Sequence, residues 1–304
     1  MDRLDGLLRA ATARLADAAV PTPRVDAELL AAHVLGLGRG EVQARVLSGA
    51  VIPADARDRF TDLLDQRAAR IPLQHLTGRA GFRTVQLRVG PGVFVPRPET
   101  EAVAGVAVQE TARRVAATGS ALVVDLCTGS GAIALAVATE QPAAWVVALE
   151  LDPQAHAWAR VNLGDPGPGR AGRIDLRLGD VRGADTGVLA DLAGQVDVVV
   201  ANPPYIPDGA RPVDPEVAEH DPDVALYGGG TDGLDLPTAV LAAARGLLVP
   251  GGLLVLEHAD TQGPGIRALA AGESWEGART EPDLTGRPRM LVVRRRRDGA
   301  RLAP

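Results

Sequence analysis

From residue 121 onward the chain repeats one pattern: a short aliphatic run, a turn, then an apolar periodicity of helical length. Residues 121–126, 145–150, 174–178, 198–201 and 253–257 read as strands. Residues 132–139, 153–163, 188–192 and about 234–248 read as the intervening helices, and a late helix with strands ending near 290–293 closes the sheet. Strands that are apolar at consecutive positions must be buried on both faces. A helix between successive strands makes them parallel. The expectation is an α/β fold with a parallel sheet covered on both sides. Such sheets bind ligands beyond the carboxyl ends of their strands.

The chain before this pattern has a different texture. Leu4, Leu7, Leu8, Ala11 and Leu15 recur at helical spacing, as do Leu29, Leu30, His33, Val34 and Leu37. Residues 1–70 therefore read as a small helical domain with His33 in its core or at an interface. Leu73-Gln74-His75-Leu76-Thr77 and Val85-Gln86-Leu87-Arg88-Val89 alternate at period two, so residues 71–95 read as a β-hairpin linker. Residues 96–297 form the α/β domain and 298–304 a tail. Arg294-Arg295-Arg296-Arg297 reads as a solvated strand end.

Composition excludes several classes. No apolar run reaches membrane-spanning length, and Met1-Asp2-Arg3-Leu4-Asp5 is unlike a signal peptide. The single cysteine, Cys127, rules out an internal disulfide framework and a cysteine-rich zinc site, and no metal site is expected. A cytoplasmic, monomeric protein is the simplest expectation. The net charge of −6 argues against a broad, stable nucleic-acid-binding surface.

Three stretches at strand ends carry chemistry. The first, Asp125-Leu126-Cys127-Thr128-Gly129-Ser130-Gly131-Ala132, lies between a strand and a helix. Its glycines allow close backbone approach to a ligand. Glu150 ends the next strand, where an acid can accept both hydroxyls of a ribose. Gly129-x-Gly131-x-x-Ala134 also satisfies a dinucleotide fingerprint, so NAD and S-adenosylmethionine compete as cofactors. Asp125 favours the second, since an acid would repel a pyrophosphate but accept from an ammonium group. Asp180 offers a carboxylate to an adenine amino group, with Val181 beside it. In the last stretch, Val198-Val199-Val200-Ala201-Asn202-Pro203-Pro204-Tyr205, a buried strand stops at an amide followed by two prolines. That stiff turn fixes two acceptors, the Asn202 side-chain oxygen and the Pro203 carbonyl, beside the place where a transferable methyl would point. Upstream, Pro96 and Pro98 hold Arg97 extended just before a helix.

Asn202-Pro203-Pro204-Tyr205 resembles the motif of methyltransferases that act on planar amide or amine nitrogens. Gln74-His75-Leu76-Thr77-Gly78, Phe94-Val95-Pro96-Arg97-Pro98-Glu99-Thr100-Glu101, the glycine loop and Asn202-Pro203-Pro204-Tyr205-Ile206 occur in that order. Together they resemble the HemK-like (PrmC) release-factor glutamine N5-methyltransferases. So do the loop from Glu219 to Gly229 and the strand end Leu256-Glu257-His258. The resemblance implies a seven-stranded, mostly parallel Rossmann-like class I methyltransferase sheet. It implies methyl transfer from S-adenosylmethionine, leaving S-adenosylhomocysteine, to the glutamine of a Gly-Gly-Gln motif in peptide chain release factors. By position it implies cofactor contacts at Cys127, Thr128, Gly129, Ser130, Gly131, Glu150, Asp180, Val181 and Asn202, alongside Asp125. It implies substrate contacts at Asn202, Pro203, Pro204 and Tyr205, with Arg97 as a further candidate and Asn202, Pro203 and Tyr205 as the catalytic set. The chain departs from the family pattern at Cys127, usually glycine, at Ser130, often threonine, and at Val181, often bulkier.

Three alternatives remain at this stage. An adenine-N6 methyltransferase on DNA or RNA uses the same Asn-Pro-Pro-Tyr motif on a flipped base. An NAD-dependent oxidoreductase would leave Asn202 and Asp125 without a task. A non-enzymatic module would bind a translation partner through the helical lobe.

Overall fold

The computed structural model describes residues 3–164 and 173–297, so the expected tail at 298–304 lies outside the described residues. Two compact units are present: residues up to Arg79 together with Val213–His220, and the remainder.

The first unit contains α1 (Leu4–Asp17), α2 (Pro23–Leu35), α3 (Arg39–Leu47), α4 (Ala54–Ala68) and α5 (Leu73–Thr77), with a short helix at Pro215–His220. Its core is built from Leu4, Leu8, Leu15, Leu30, Val42 and Phe60, the residues that helical spacing turns to one side. Buried charges are paired. Arg67 bridges Asp26 at 2.7 Å and Glu216 at 2.8 Å, and Glu28 accepts from Arg39 and Gln43. Two expectations are corrected here. His33 is exposed and so lies outside the core, because the apolar face of α2 passes through Leu30, Ala31 and Val34. Leu73–Thr77 is one helical turn and not a strand. Five residues cannot separate the two periods, but Pro72 at the start and Gly78 in the left-handed region (φ 69°) at the end are helix punctuation.

In the second unit, β1 (Arg79–Phe82, its first residue at the unit boundary) and β2 (Val85–Arg88) form the hairpin. Then come α6 (Thr100–Thr118), β3 (Ala121–Leu126), α7 (Ala132–Glu140), β4 (Ala144–Glu150), α8 (Pro153–Leu163), β5 (Ile174–Leu178) and β6 (Val196–Ala201). After the Pro215–His220 helix, which is α9, follow α10 (Asp235–Leu247), β7 (Leu248–Glu257), α11 (Gly263–Leu269), β8 (Trp275–Pro282) and β9 (Pro288–Arg295). The seven-stranded sheet has the order β5-β4-β3-β6-β7-β9-β8. Pairings from β5 to β7 are parallel, and β9 runs antiparallel to both β7 and β8.

Strand pleating explains the double burial. Val198 and Val200 join Val123 in one core, with α6, α7, α8 and the hairpin residues Phe82 and Leu87. Val199 and Ala201 join Val124 and Leu126 in the other, with α10 and Ile266 of α11. The hairpin is thus packed on the sheet domain's own core. The helix expected over 188–192 is a single 3-10 turn at Ala190–Leu192, closed by Gly194 at φ 69°. In the basic run at the end of β9, Arg297 is exposed as expected, whereas Arg294, Arg295 and Arg296 are half-buried and engaged. Arg294 pairs with Glu110 and the Gly251 carbonyl, Arg295 with the Leu248 carbonyl and Arg296 with the Trp275 carbonyl.

Candidate active site

The chain leaves β3 to build β4 and β5 on one side, then returns to place β6 on the other. Crossovers on either side of β3 therefore diverge, and a crevice opens at the carboxyl ends of β3 and β6. Register pairs Leu126 with Ala201, so Cys127 and Asn202 emerge side by side.

The glycine loop turns sharply. Cys127, Gly129 and Gly131 all have positive φ, at 61°, 58° and 83°. Thr128 donates its N–H to the Leu149 carbonyl at 2.9 Å, tying the loop to β4. Beneath it, the fully buried Asp125 accepts from the Thr128 hydroxyl and, at 3.1 Å, from the Ala134 N–H. Burial pushes its carboxyl up to about 7 against those two hydrogen bonds. Asp125 does not line the cavity, and its second oxygen, Oδ1, is buried without a hydrogen-bond partner among the described residues. Its position at the foot of the loop makes it the loop's internal brace.

Glu150, also buried, accepts from Leu151 and Asp152 at Oε1 (2.9 and 2.8 Å) and from Gly129 at Oε2 (2.7 Å). Burial raises its pKa, and those backbone N–H groups oppose the rise. Oε1 is saturated, whereas Oε2 keeps a lone pair. The lone pair left on Oε2 is therefore the acceptor position Glu150 offers a hydroxyl in this arrangement. Gly179 donates to the Glu150 carbonyl at 2.8 Å, bringing Asp180 and Val181 to the same rim. An added Cβ at Gly129 would meet nothing within 4 Å, so the loop faces open space. That space is a cavity open to solvent. Leu149, Leu151, Val181 and Leu236 supply apolar walls, and Glu150, Asp152 and Asp180 polar ones. Cys127 lines it too; burial first, then the Glu150 and Asp125 charges, keep its thiol protonated.

Asn202 stands at the far wall. Its Nδ2 donates to Thr100 Oγ1 at 3.2 Å, and among the described residues nothing donates to its Oδ1 or to the Pro203 carbonyl. The turn is strapped from below. Ile206 donates to the Leu226 carbonyl at 2.9 Å and accepts from Gly228 at 3.0 Å, and Gln262 donates to the Tyr205 carbonyl at 2.8 Å. A Cβ on Gly228 would lie 2.7 Å from the Pro204 carbonyl oxygen, so only glycine permits this approach. Pro222, Val224 and Ala225 reach the cavity from the same loop.

Nine of the expected residues line this one cavity: Cys127, Thr128, Gly129, Ser130, Glu150, Asp180, Val181, Asn202 and Pro204. Pro203 is buried between two of them, and Gly131 turns away toward Leu163. Tyr205 directs its hydroxyl to Glu257 at 3.4 Å and is not a wall of the cavity. Arg97 also lies off the wall, donating to the buried Asp221 at 2.5 Å with its guanidinium 5.0 Å from the Phe94 ring centre. It anchors the loop that carries Pro222. Phe94, Thr100, Leu151, Val224 and Leu236 line the cavity without a recognisable signal of their own. Only the Phe94–Glu101 and Glu219–Gly229 segments, already marked by resemblance, pointed toward Phe94, Thr100 and Val224. Among the described residues there is no His/Cys/Asp/Glu cluster suited to a metal ion.

Residues 6–78 match the family model described as PrmC N-terminal domain, and residues 106–218 match the methyltransferase small domain. The chain is 49% identical over 287 residues to the release factor glutamine methyltransferase of Streptomyces coelicolor, covering 94% of this chain and 95% of that protein. It is 44% identical over 296 residues to the protein so named in Mycolicibacterium smegmatis, covering 97% and 99%. To that of Deinococcus radiodurans it is 43% identical over 294 residues, covering 96% and 99%.

Proposed function

Because the chain belongs to the family of release factor glutamine methyltransferases, we propose that this cavity methylates the side-chain amide nitrogen of the glutamine in a release factor's Gly-Gly-Gln motif. When bound, S-adenosylmethionine supplies an electrophilic methyl group on a sulfonium. Its adenosine fits the donor set here: Asp180 accepts from an amino group, Glu150 Oε2 from a hydroxyl, and Leu149, Leu151 and Val181 cover apolar surface. The glycine loop from Cys127 to Ser130 lets the backbone come close.

An amide nitrogen is a poor nucleophile because its lone pair is delocalised, and its N–H is too weakly acidic for a side-chain base to remove first. Catalysis must come from placing the nitrogen and accepting the charge that grows on it. Asn202 Oδ1 and the Pro203 carbonyl each accept one substrate N–H. Those hydrogen bonds strengthen toward about 1.5–3 kcal/mol as the nitrogen becomes cationic. Acceptors held in advance by a stiff turn stabilise the transition state more than the ground state. Pro204 walls the site, and Tyr205 holds the turn from behind.

The observation carrying this reading is Asn202: its Nδ2 is engaged by Thr100, which leaves Oδ1 as an acceptor in the cavity that Glu150 and the glycine loop share. The helical unit serves to recognise the body of the release factor. The active species is a single chain in the cytoplasm with no stable nucleic-acid complex. Incubation with labelled cofactor and either an intact release factor or DNA and RNA tests the assignment, with mass spectrometry of the Gly-Gly-Gln peptide. One methyl on that glutamine and none on nucleic acid is expected; label in adenine with an unmodified peptide overturns it. Leu47 is 89% exposed on the helical unit. Its replacement by Asp should slow methylation of the intact factor and spare a short peptide.

A further inference from the structure

The turn that carries the two acceptors has few means of holding itself. Pro203 and Pro204 have no N–H, and their rings lock φ but leave ψ free. The direction of the Pro203 carbonyl therefore depends on what grips the chain after it. Among the described residues one hydrogen bond reaches the main chain of Pro203, Pro204 or Tyr205. It comes from Gln262, whose Nε2 donates to the Tyr205 carbonyl at 2.8 Å. Gln262 is buried and stands at the N-cap of α11, yet makes no cap hydrogen bond to its own helix. Its carboxamide is used up elsewhere. The second Nε2 hydrogen goes to the Asp232 carbonyl at 2.7 Å, in the loop before α10. Oε1 accepts the Ala259 N–H at 2.9 Å, just after β7. The Gln262 main-chain N–H returns to the Ala259 carbonyl at 2.9 Å, which fixes the root of the side chain. Both donors meet carbonyls and the oxygen meets an N–H, so the amide has one orientation. A Cβ on Gly233 would strike the Tyr205 carbonyl and stand 3.0 Å from Nε2, so glycine keeps this junction open.

We propose that Gln262 is a positioning residue for methyl transfer, which acts through the Tyr205 carbonyl to aim the Pro203 carbonyl and Asn202 into the cavity. The inference rests on those two groups being the acceptors for the substrate amide. The chain enters the turn from β6, whose last residue, Ala201, is in register with Leu126 of β3 and Leu256 of β7. It leaves under the grip of Gln262. With both ends held and two φ angles locked, the ψ angles of Pro203 and Pro204 have little freedom left. The strap at Ile206 lies one residue further on and does not reach 203–205. Without Gln262 the Pro203 peptide can rotate, and it has no donor of its own to restrain it. A carbonyl turned away from the substrate nitrogen loses the hydrogen bond that strengthens during transfer. Gln262 does not line the cavity, and its side-chain hydrogen bonds go to none of the groups assigned to the cofactor.

The test uses the full chain and a synthetic Gly-Gly-Gln peptide, with kcat and KM measured for Gln262→Met, Gln262→Glu and Asn202→Ala. Calorimetry with S-adenosylhomocysteine gives Kd, and its stoichiometry gives the folded fraction to which each kcat is normalised. Gln262→Met keeps the length of the side chain and loses its hydrogen bonds. It should lower kcat about 10- to 100-fold with cofactor Kd unchanged. Gln262→Glu carries the sharper readout. As a carboxylate it sets its oxygens against two carbonyls, and burial beside them holds its pKa above the ordinary value of about 4.3. Once protonated, it donates its O–H to the Tyr205 or the Asp232 carbonyl, while the other oxygen accepts from Ala259. The ratio of its kcat to the parent's should therefore rise about tenfold as pH falls from about 9 to about 6. The ionisable groups on the segments around position 262 are Tyr205, Asp232, His258, Asp260 and Arg267. The parent shares them, so the ratio removes their contribution.

Parental kcat in Gln262→Met overturns the inference. So does a Gln262→Glu ratio that stays flat with pH, or a loss of cofactor affinity as large as the loss of kcat. The two substitutions are independent, so failure of one to fold leaves the other decisive. Asn202→Ala separates the layers. Retained transfer there sinks the acceptor reading itself. Lost transfer there, beside parental kcat in Gln262→Met, sinks only the role of Gln262.

Discussion

Cys127 offers a test in which the sign of the effect is the argument. It opens the glycine loop at φ 61°, a conformation that costs a residue bearing a Cβ about 1–2 kcal/mol. Its side chain packs against the core containing Leu126 and Leu149, so the sulfur is worth about 0.8 kcal/mol of burial. Cys127→Ala keeps the strain and loses the sulfur, and should destabilise the chain by about 1 kcal/mol. Cys127→Gly loses the sulfur and gives up about 0.5–1 kcal/mol to chain entropy, but releases the strain. It should fall within about 1 kcal/mol of the parent. The glycine variant should then exceed the alanine variant by about 1 kcal/mol, the reverse of the order in helices and strands. In a unit of this size that is a melting difference of about 2–4 °C. Scanning calorimetry of the three proteins reads it directly. Equal melting of the two variants, or a more stable alanine, would falsify the claim that backbone strain at 127 is what counts. Cofactor affinity measured alongside should stay within a few-fold, because a protonated, packed thiol makes no strong contact.

Glu150→Ala should weaken cofactor binding severalfold and also lower stability by about 1–3 kcal/mol, since the Gly129, Leu151 and Asp152 N–H groups lose their acceptor; an unchanged cofactor Kd would remove Glu150 from the ligand. Gly228→Ala should depress methyl transfer more than cofactor binding, because its Cβ strikes the Pro204 carbonyl and displaces the turn; parental kcat in a folded variant counts against the strap. Two carboxyls should tilt stability in opposite directions with pH. For Glu110, burial raises the pKa but Arg113 and Arg294 pull it to about 2, so its contribution is present above the ordinary carboxylate range and lost as pH falls toward 2. For Asp125, held up at about 7, stability is fullest below its unfolded pKa and declines as pH rises through 7. Denaturant melts of Glu110→Gln should converge with the parent at low pH, and those of Asp125→Asn should gain on the parent as pH rises from about 4 to about 7; curves parallel over those ranges would refute the assigned cause.

Local pattern alone determined the architecture. Consecutive apolar residues such as Val198 to Ala201, separated by helical periods, can be satisfied only by a parallel sheet covered on both faces. The glycine loop, Glu150, Asp180 and Asn202 could be placed from that pattern because each follows a strand, and in an open α/β sheet strand ends meet at one edge. What pattern could not supply was each side chain's partner. Asp125 and Glu150 are both acids at the β3–β4 edge, yet one braces the loop from beneath and the other lines the cavity. Only the closure of the loop over β4 separates them. Arg97, held between prolines, looked free to touch a substrate until the Asp221 loop was folded beside it. The arginines ending β9 looked solvated until Glu110 and the Gly251, Leu248 and Trp275 carbonyls came within reach. Periodicity is a property of neighbours along the chain, whereas charge pairing and proton placement belong to neighbours in space.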